Sequence, residues 1–258
     1  MLNHADMKSP ESPAAFLLAS QIMSYPDQNF VASVDALLAH EEVQRTLENS
    51  CPEHWGTLKV YLNEIMGDEE ALRDLRSLYV DIFERSRAAN SLYETEYGIG
   101  RSIAKGPELL DIATCYQAFG FALSEDESHR EMIDHLAVEL EFYGLLGLKL
   151  LALKAENCTE GVSILEEGRR FFLTKHLGTF TRSILARPGV QENSYYFHAM
   201  SCVNQLVARE CLLLGVEQKE REWQEDLMRS EDEISCGSLG GCLTKDPSLQ
   251  PSDQATDS

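Results

Sequence analysis

Three observations in the sequence predict an all-α fold. The eight prolines, at 10, 13, 26, 52, 107, 188, 247 and 251, all stand where a helix can begin or end. A proline inside a helix costs about 3 kcal/mol, so this placement leaves room for long helices between them. No stretch alternates apolar and polar residues between tight-turn dipeptides, as a strand would. Finally, Met132 to Leu153 carries Leu136, Leu140, Tyr143 and Gly147 on one face at helical spacing. The expected architecture is a single compact multi-helix domain around that central helix, over residues 12–215. An acidic tail over residues 216–258 follows it.

Taken in order, a first helix is expected from Ser12 to Ser24, with Phe16, Leu17, Ser20 and Met23 near one face. Tyr25-Pro26-Asp27 breaks it and caps a second helix that runs through Ala39. Ser50-Cys51-Pro52-Glu53 has the spacing of a capping box, opening a helix that carries Trp55, Leu58, Tyr61, Leu62 and Ile65. Asp68 caps the next, where Leu72, Leu75, Leu78, Tyr79, Ile82 and Phe83 form a continuous apolar stripe.

Ser86 to Gly106 lacks periodicity and contains Tyr93-Glu94-Thr95-Glu96-Tyr97. A long loop in a compact domain is either functional or disordered, and its aromatic content argues against disorder. Gly106-Pro107 is expected to open a helix through about Leu123. Ser124 to Glu127 is a second capping box, leading into the central helix. In that helix Asp134, Val138 and Glu141 line one flank, and His135, Glu139 and Phe142 the other. From Leu145 it is apolar all round except at Lys149, so it should cross the middle of the domain and open its acidic, His-bearing end on a groove. A helix from about Thr159 holds Ile164, Leu165, Phe171, Phe172, His176, Leu177 and Phe180. The last core helix runs from Ser194 to Leu214. After Gly215 the chain is charged and then rich in Ser, Gly, Asp and Pro, a composition expected of disorder.

The formal net charge of −21 repels nucleic-acid phosphates and attracts cationic partners, basic peptides included. The region from Met1 to Ala15 lacks the apolar core of a signal peptide, and Phe142 to Ala155 is too short to span a bilayer. Seven cysteines, an odd number scattered through helical segments, fit reduced thiols. A cytoplasmic location is expected, without stable membrane insertion.

Specific chemistry is thin. A di-iron carboxylate bundle needs two Glu-x-x-His pairs, and the chain has none. His135 and Glu139 stand four apart and are able to share a ligand, which keeps a helical metal-binding protein or enzyme as the alternative reading. Cys236 and Cys242 lack zinc-finger spacing. No nucleophile elbow, phosphate loop or dinucleotide fingerprint is present. Asp134 and His135 are adjacent, and neighbours on a helix point about 100° apart, so they do not orient each other as a triad does. What remains is an acidic binding protein for a segment with apolar and basic residues, held through a groove and carboxylate–arginine pairs.

The order of segments resembles the TorD/DmsD/NarJ family of molybdoenzyme maturation chaperones. Leu78-Tyr79-Val80-Asp81-Ile82-Phe83 is similar to its Tyr-x-x-Leu-Phe helix, with Ile82 where Leu is usual. Leu92-Tyr93-Glu94-Thr95-Glu96-Tyr97 resembles its Pro-Tyr-Glu-Ser loop, with Leu92 where proline is common. Asp134-His135-Leu136-Ala137-Val138-Glu139-Leu140-Glu141-Phe142 resembles its Asp-His-Leu-x-x-Glu-Leu-x-Phe-Met helix, with Tyr143 in the last place. Phe172-Leu173-Thr174-Lys175-His176-Leu177 is similar to a weaker downstream element. The likeness spans roughly Ala15 to Gly215. The Tyr-Glu-Thr-Glu-Tyr wording is closest to chaperones of dimethyl sulfide, ethylbenzene and chlorate-type molybdoenzymes.

The resemblance implies a non-enzymatic cytoplasmic chaperone that binds the apo catalytic subunit of a molybdenum oxidoreductase. Such chaperones often grip the client's twin-arginine signal peptide and hold the subunit for cofactor insertion. It also implies a monomer or helix-swapped dimer. No cofactor of its own is expected; contact with a guanine nucleotide or with the molybdenum cofactor rests on family resemblance only. Residue by residue it assigns Asp134 and His135 to client contact, with Glu139 in the same motif, and Tyr79, Phe83, Tyr93 and Glu94 to a groove, with Glu96 beside them. Tyr79 and Phe83 also belong to the apolar stripe, and Asp134 to helix-start electrostatics. No periodicity explains Glu94 or Glu96.

Overall fold

Pro13 and Pro52 each stand in the first turn of a helix, where a missing N–H costs nothing. They open α1 (Pro13–Met23) and α4 (Pro52–Gly67), with α2 (Phe30–Leu38) and α3 (Glu41–Ser50) between them. The computed structural model describes residues 12–85, 90–98, 101–122, 131–185 and 194–221, with the backbone alone for 101–104. All belong to a unit spanning Met1–Trp223; a second unit, Gln224–Ser258, lies outside the described residues. Asp68 caps α5 (Glu69–Tyr79) by accepting from the Glu70 N–H at 2.8 Å. The chain then widens into a π-helical turn (Val80–Arg85). After a 3-10 turn (Glu94–Glu96) come α6 (Arg101–Ala118), α7 (Leu136–Ala155), α8 (Thr159–Lys175), α9 (Leu177–Leu185) and α10 (Tyr195–Leu214). Ser194 caps α10 through the Phe197 N–H, and Gly215, with φ at 66°, closes it in the left-handed conformation. The fold is all-α, and the only bridge among the described residues is isolated, between Tyr93 and His135.

The core forms where α7 meets α1 on one side and α8 on another, while α10 packs on α4 and α9. Gly144 and Gly147 let α1 approach. A Cβ at Gly147 would stand 2.8 Å from the Pro13 ring, and one at Gly144 would stand 2.8 Å from Leu17 and 3.0 Å from the Pro13 carbonyl. Beside this contact Phe16 packs on Tyr143 with ring centroids 4.8 Å apart. Arg76 of α5 reaches back to the Pro26 and Asp27 carbonyls, at 2.6 and 3.2 Å, and pins the turn between α1 and α2.

Several expectations need correcting. Ser50 is not the N-cap of α4: it ends α3, and Cys51 is the N-cap, without a side-chain cap bond of its own. The helix expected to open at Gly106-Pro107 begins earlier, at Arg101, so Pro107 lies inside it. The central helix starts at Leu136, not Met132, because residues 131–135 form a turn that pairs with the segment around Tyr93. Asp134 and His135 therefore precede the helix. The face Leu136, Leu140, Tyr143 and Gly147 is buried as expected, but Leu148 and Leu151 are exposed. The expected helix from Thr159 through Phe180 breaks at His176, and Ile164 and Phe171 face outward. The second capping box, Ser124 to Glu127, lies outside the described residues.

Candidate functional site

The site is assembled by backbone before any side chain contributes. Residues 91–97 run beside the entrance to α7, where the Glu94 N–H donates to the Asp134 carbonyl at 2.8 Å and the Leu136 N–H to the Leu92 carbonyl at 2.7 Å. Tyr97 stiffens the loop by donating its hydroxyl to the Ser91 carbonyl at 2.7 Å. Two segments that sequence reasoning treats as separate walls are thus one rigid unit.

The side chains extend the same lock. Asp134 accepts from the Thr95 hydroxyl at 2.6 Å and from its N–H at 3.3 Å. His135 is the N-cap of α7: its Nδ1 accepts from the Ala137 N–H at 3.1 Å, which places the proton of the neutral ring on Nε2. That Nε2 lies 3.3 Å from the Tyr79 hydroxyl. The Tyr93 ring packs edge-on against His135 at 5.0 Å, and its hydroxyl donates to Glu131 at 3.0 Å. Tyr79 packs on Phe83 at 5.2 Å, and both pack on Tyr196 of α10. Glu96 accepts from Lys105 at 2.6 Å. All eight residues singled out in the sequence therefore stand in one continuous patch. Six of them (Tyr79, Phe83, Glu94, Asp134, His135 and Glu139) are buried, while Tyr93 and Glu96 reach solvent in part.

Behind this patch lies a charged chamber. Glu94, fully buried, accepts from Arg221 and lies 3.0 Å from His176 Nδ1. His176 Nε2 stands 3.4 Å from Asp111, at ion-pair rather than hydrogen-bond geometry. Arg221 also reaches Glu108 at 3.5 Å. Glu139, on the first turn of α7, is fully buried, and neither of its oxygens meets a hydrogen-bonding partner among the described residues. Burial, and then the neighbouring Glu94 carboxylate, push its carboxyl well above the usual range. Glu108 is raised too, first by burial, against the pull of Arg221.

His176 moves the other way in charge. Burial alone would lower its pKa, but hydrogen bonds with Cys115 and Glu94 outweigh that and raise it to about 9. Because the folded value stands above 6.5, the imidazolium contributes stability that is fully present below about pH 6.5 and is lost as pH rises through about 9. Denaturant unfolding of wild type and His176→Gln across that window checks this. The wild type should lose stability relative to the variant as pH rises. Glu108 feels the His176 charge, so the difference reports His176 together with its effect on that carboxyl.

Sequence reasoning placed His176 within a helix from about Thr159 and missed Arg221, Glu108 and Asp111 as parts of a site. A His within the Phe172–Leu177 element was the available signal for the first. Arg221 carried none, because it sits in a charged run without periodicity. A separate buried cluster was missed as well: Arg169 of α8 pairs with Glu210 of α10 at 2.5 Å, Tyr143 of α7 donates to the same oxygen at 3.0 Å, and the guanidinium lies over the Tyr143 ring.

An open recess adjoins the patch. Its volume is about 330 Å³, and Tyr61, Ile65, Leu75, Leu78 and Tyr195 line it together with the exposed carboxylates of Glu64 and Asp74. Tyr195 stacks edge-on against Tyr196, which touches Tyr79 and Phe83, so an aromatic series joins the recess to the loop. Among the described residues no helix is long and apolar enough to cross a membrane, and no group of three or more His, Cys, Asp and Glu is placed to hold a metal ion. The alternative ligand pair fares poorly on geometry, since both ring nitrogens of His135 are already engaged. A family model described as nitrate reductase delta subunit matches residues 44–185, more than half of the chain, from α3 to the end of α9. No curated protein sequence matches it.

Proposed function

Since the chain belongs to the nitrate reductase delta subunit family, a family of chaperones that mature molybdoenzymes, we propose that it binds the apo catalytic subunit of a molybdenum oxidoreductase in the cytoplasm. It holds that subunit for cofactor insertion and catalyses no reaction itself. The segment recognised carries apolar and basic residues, a twin-arginine signal peptide being the form that fits best. The observation that carries this reading is the recess between α4, α5 and the start of α10: apolar inside, with Glu64 and Asp74 exposed beside it. Apolar side chains enter such a groove, and arginine or lysine pairs with the carboxylates. The buried residues Asp134, His135 and Tyr79 act from behind, fixing the wall against which the client lies.

Co-purification with the apo catalytic subunit tests the proposal. Wild type should retain the subunit. Glu64→Lys/Asp74→Lys, two exposed changes, should lower its affinity about tenfold or more while leaving the melting temperature within a few degrees. Binding should also weaken with added salt, as carboxylate–arginine pairing requires. No capture of any molybdoenzyme subunit by the wild type would overturn the proposal, and salt-independent capture would assign recognition to the apolar lining alone.

A further inference from the structure

Arg221 lies beyond the C-cap of α10, outside the matched region, and ends in the chamber built by Glu94. The segment Val216–Arg221 has no regular secondary structure and is held by side chains. Gln218 donates to Asn204 at 3.1 Å and to Thr181 at 3.3 Å. The Arg221 N–H donates to the Ser183 hydroxyl at 2.7 Å, and its Nε to the Thr179 hydroxyl at 3.0 Å. Nη2 bonds Glu94 and, at 2.7 Å, the Lys175 carbonyl at the C-terminus of α8, an end that favours a cation. A guanidinium is suited to this set, because one planar fork serves a carboxylate, a carbonyl and a hydroxyl at once.

Two features set this apart from an ordinary ion pair. Carboxyl groups outnumber cations: Glu94, Glu108 and Asp111 pair with Arg221 and His176, and the buried Glu139 stands beside Glu94 with no ion-pair partner among the described residues. The Arg221 side chain also retains 16% exposure and hangs on a segment without helix or strand, so it has a way out. We propose that the Glu94–Glu139 chamber is a guanidinium receptor and that Arg221 is its displaceable resident, a latch that an arginine presented by a client segment replaces. This rests on the client-binding reading above and adds the group that is recognised and the contact that must yield.

Chemical rescue of full-length Arg221→Ala tests the latch without a client. Its melting temperature should lie below that of wild type. Millimolar ethylguanidinium chloride should raise it in a saturable way by about 3 °C or more, whereas ethylammonium chloride should not. Wild type, already occupied, should not respond, and Arg221→Ala/Glu94→Gln should lose the rescue. Absence of saturable rescue, or an equal response in wild type, overturns the latch. Should Arg221→Ala fail to fold, wild type serves: a short blocked peptide with two arginines should speed hydrogen exchange at the Arg221 amide, and its lysine counterpart should not. Unchanged exchange at saturating peptide overturns the proposal equally. Client capture without rescue would discard the latch alone, and rescue without capture would keep the latch while removing the molybdoenzyme subunit as the client.

Discussion

Glu94→Ala should lower the melting temperature by about 10 °C or more, because it strands two cations that folding has taken out of water. Removing one partner of a buried pair costs about 3–5 kcal/mol, and in a chain of this size each kcal/mol shifts the midpoint by about 2–4 °C. Arg221 loses its carboxylate, and His176 loses the acceptor at 3.0 Å that helps to raise its pKa. Glu139 tempers the loss. The Glu94 charge helps to raise its pKa and the Arg221 charge to lower it, so once Glu94 is gone it serves as a buried counter-charge for Arg221. Glu94→Ala/Glu139→Gln should therefore be less stable than the sum of the two single variants. A denaturant double-mutant cycle reads that coupling directly, and strict additivity would show that Glu139 takes no part in the chamber.

Glu210→Leu should be about as damaging, again by about 3–5 kcal/mol, through a different mechanism. Glu210 is fully buried and takes both the Arg169 guanidinium and the Tyr143 hydroxyl, so one carboxylate ties α7, α8 and α10 together. The leucine leaves a guanidinium with 3% exposure unpaired. Arg169→Met/Glu210→Leu removes both charges and should recover most of the loss, since apolar side chains of similar volume replace a buried ion pair at little cost. Equilibrium unfolding of the three variants checks the pattern. A double variant as unstable as Glu210→Leu alone would mean that packing around Tyr143, not the stranded charge, sets the cost.

Much of this molecule is legible from local rules. Asp68 and Ser194 cap helices because short polar side chains satisfy free N–H groups at a helix start, and Gly215 ends α10 because glycine enters the left-handed conformation freely. Of the stripe, Leu75, Tyr79, Ile82 and Phe83 are buried as its spacing requires and Leu72 and Leu78 only half-buried, and the last turn widens to π geometry. Local rules failed where a distant segment competed. The wheel put Asp134 and His135 on the central helix, but residues 131–135 gain more by pairing with Tyr93, and His135 then serves as cap instead of first-turn residue. At Ser50 a capping box was available on paper, yet the residue ends the preceding helix.

By itself the sequence determined the helical class, most helix faces and the acidity, because periodicity, capping and charge are properties of neighbours along the chain. The eight residues of the patch were singled out by family resemblance. Only the tertiary structure decided what those residues do. It turned Asp134 and His135 into fasteners of the Glu94 loop, and it paired Arg169 with Glu210 across 41 positions. It also brought Arg221 back across 127 positions to Glu94. A buried charge must find its opposite wherever packing places it, and no spacing rule along the chain records that partner.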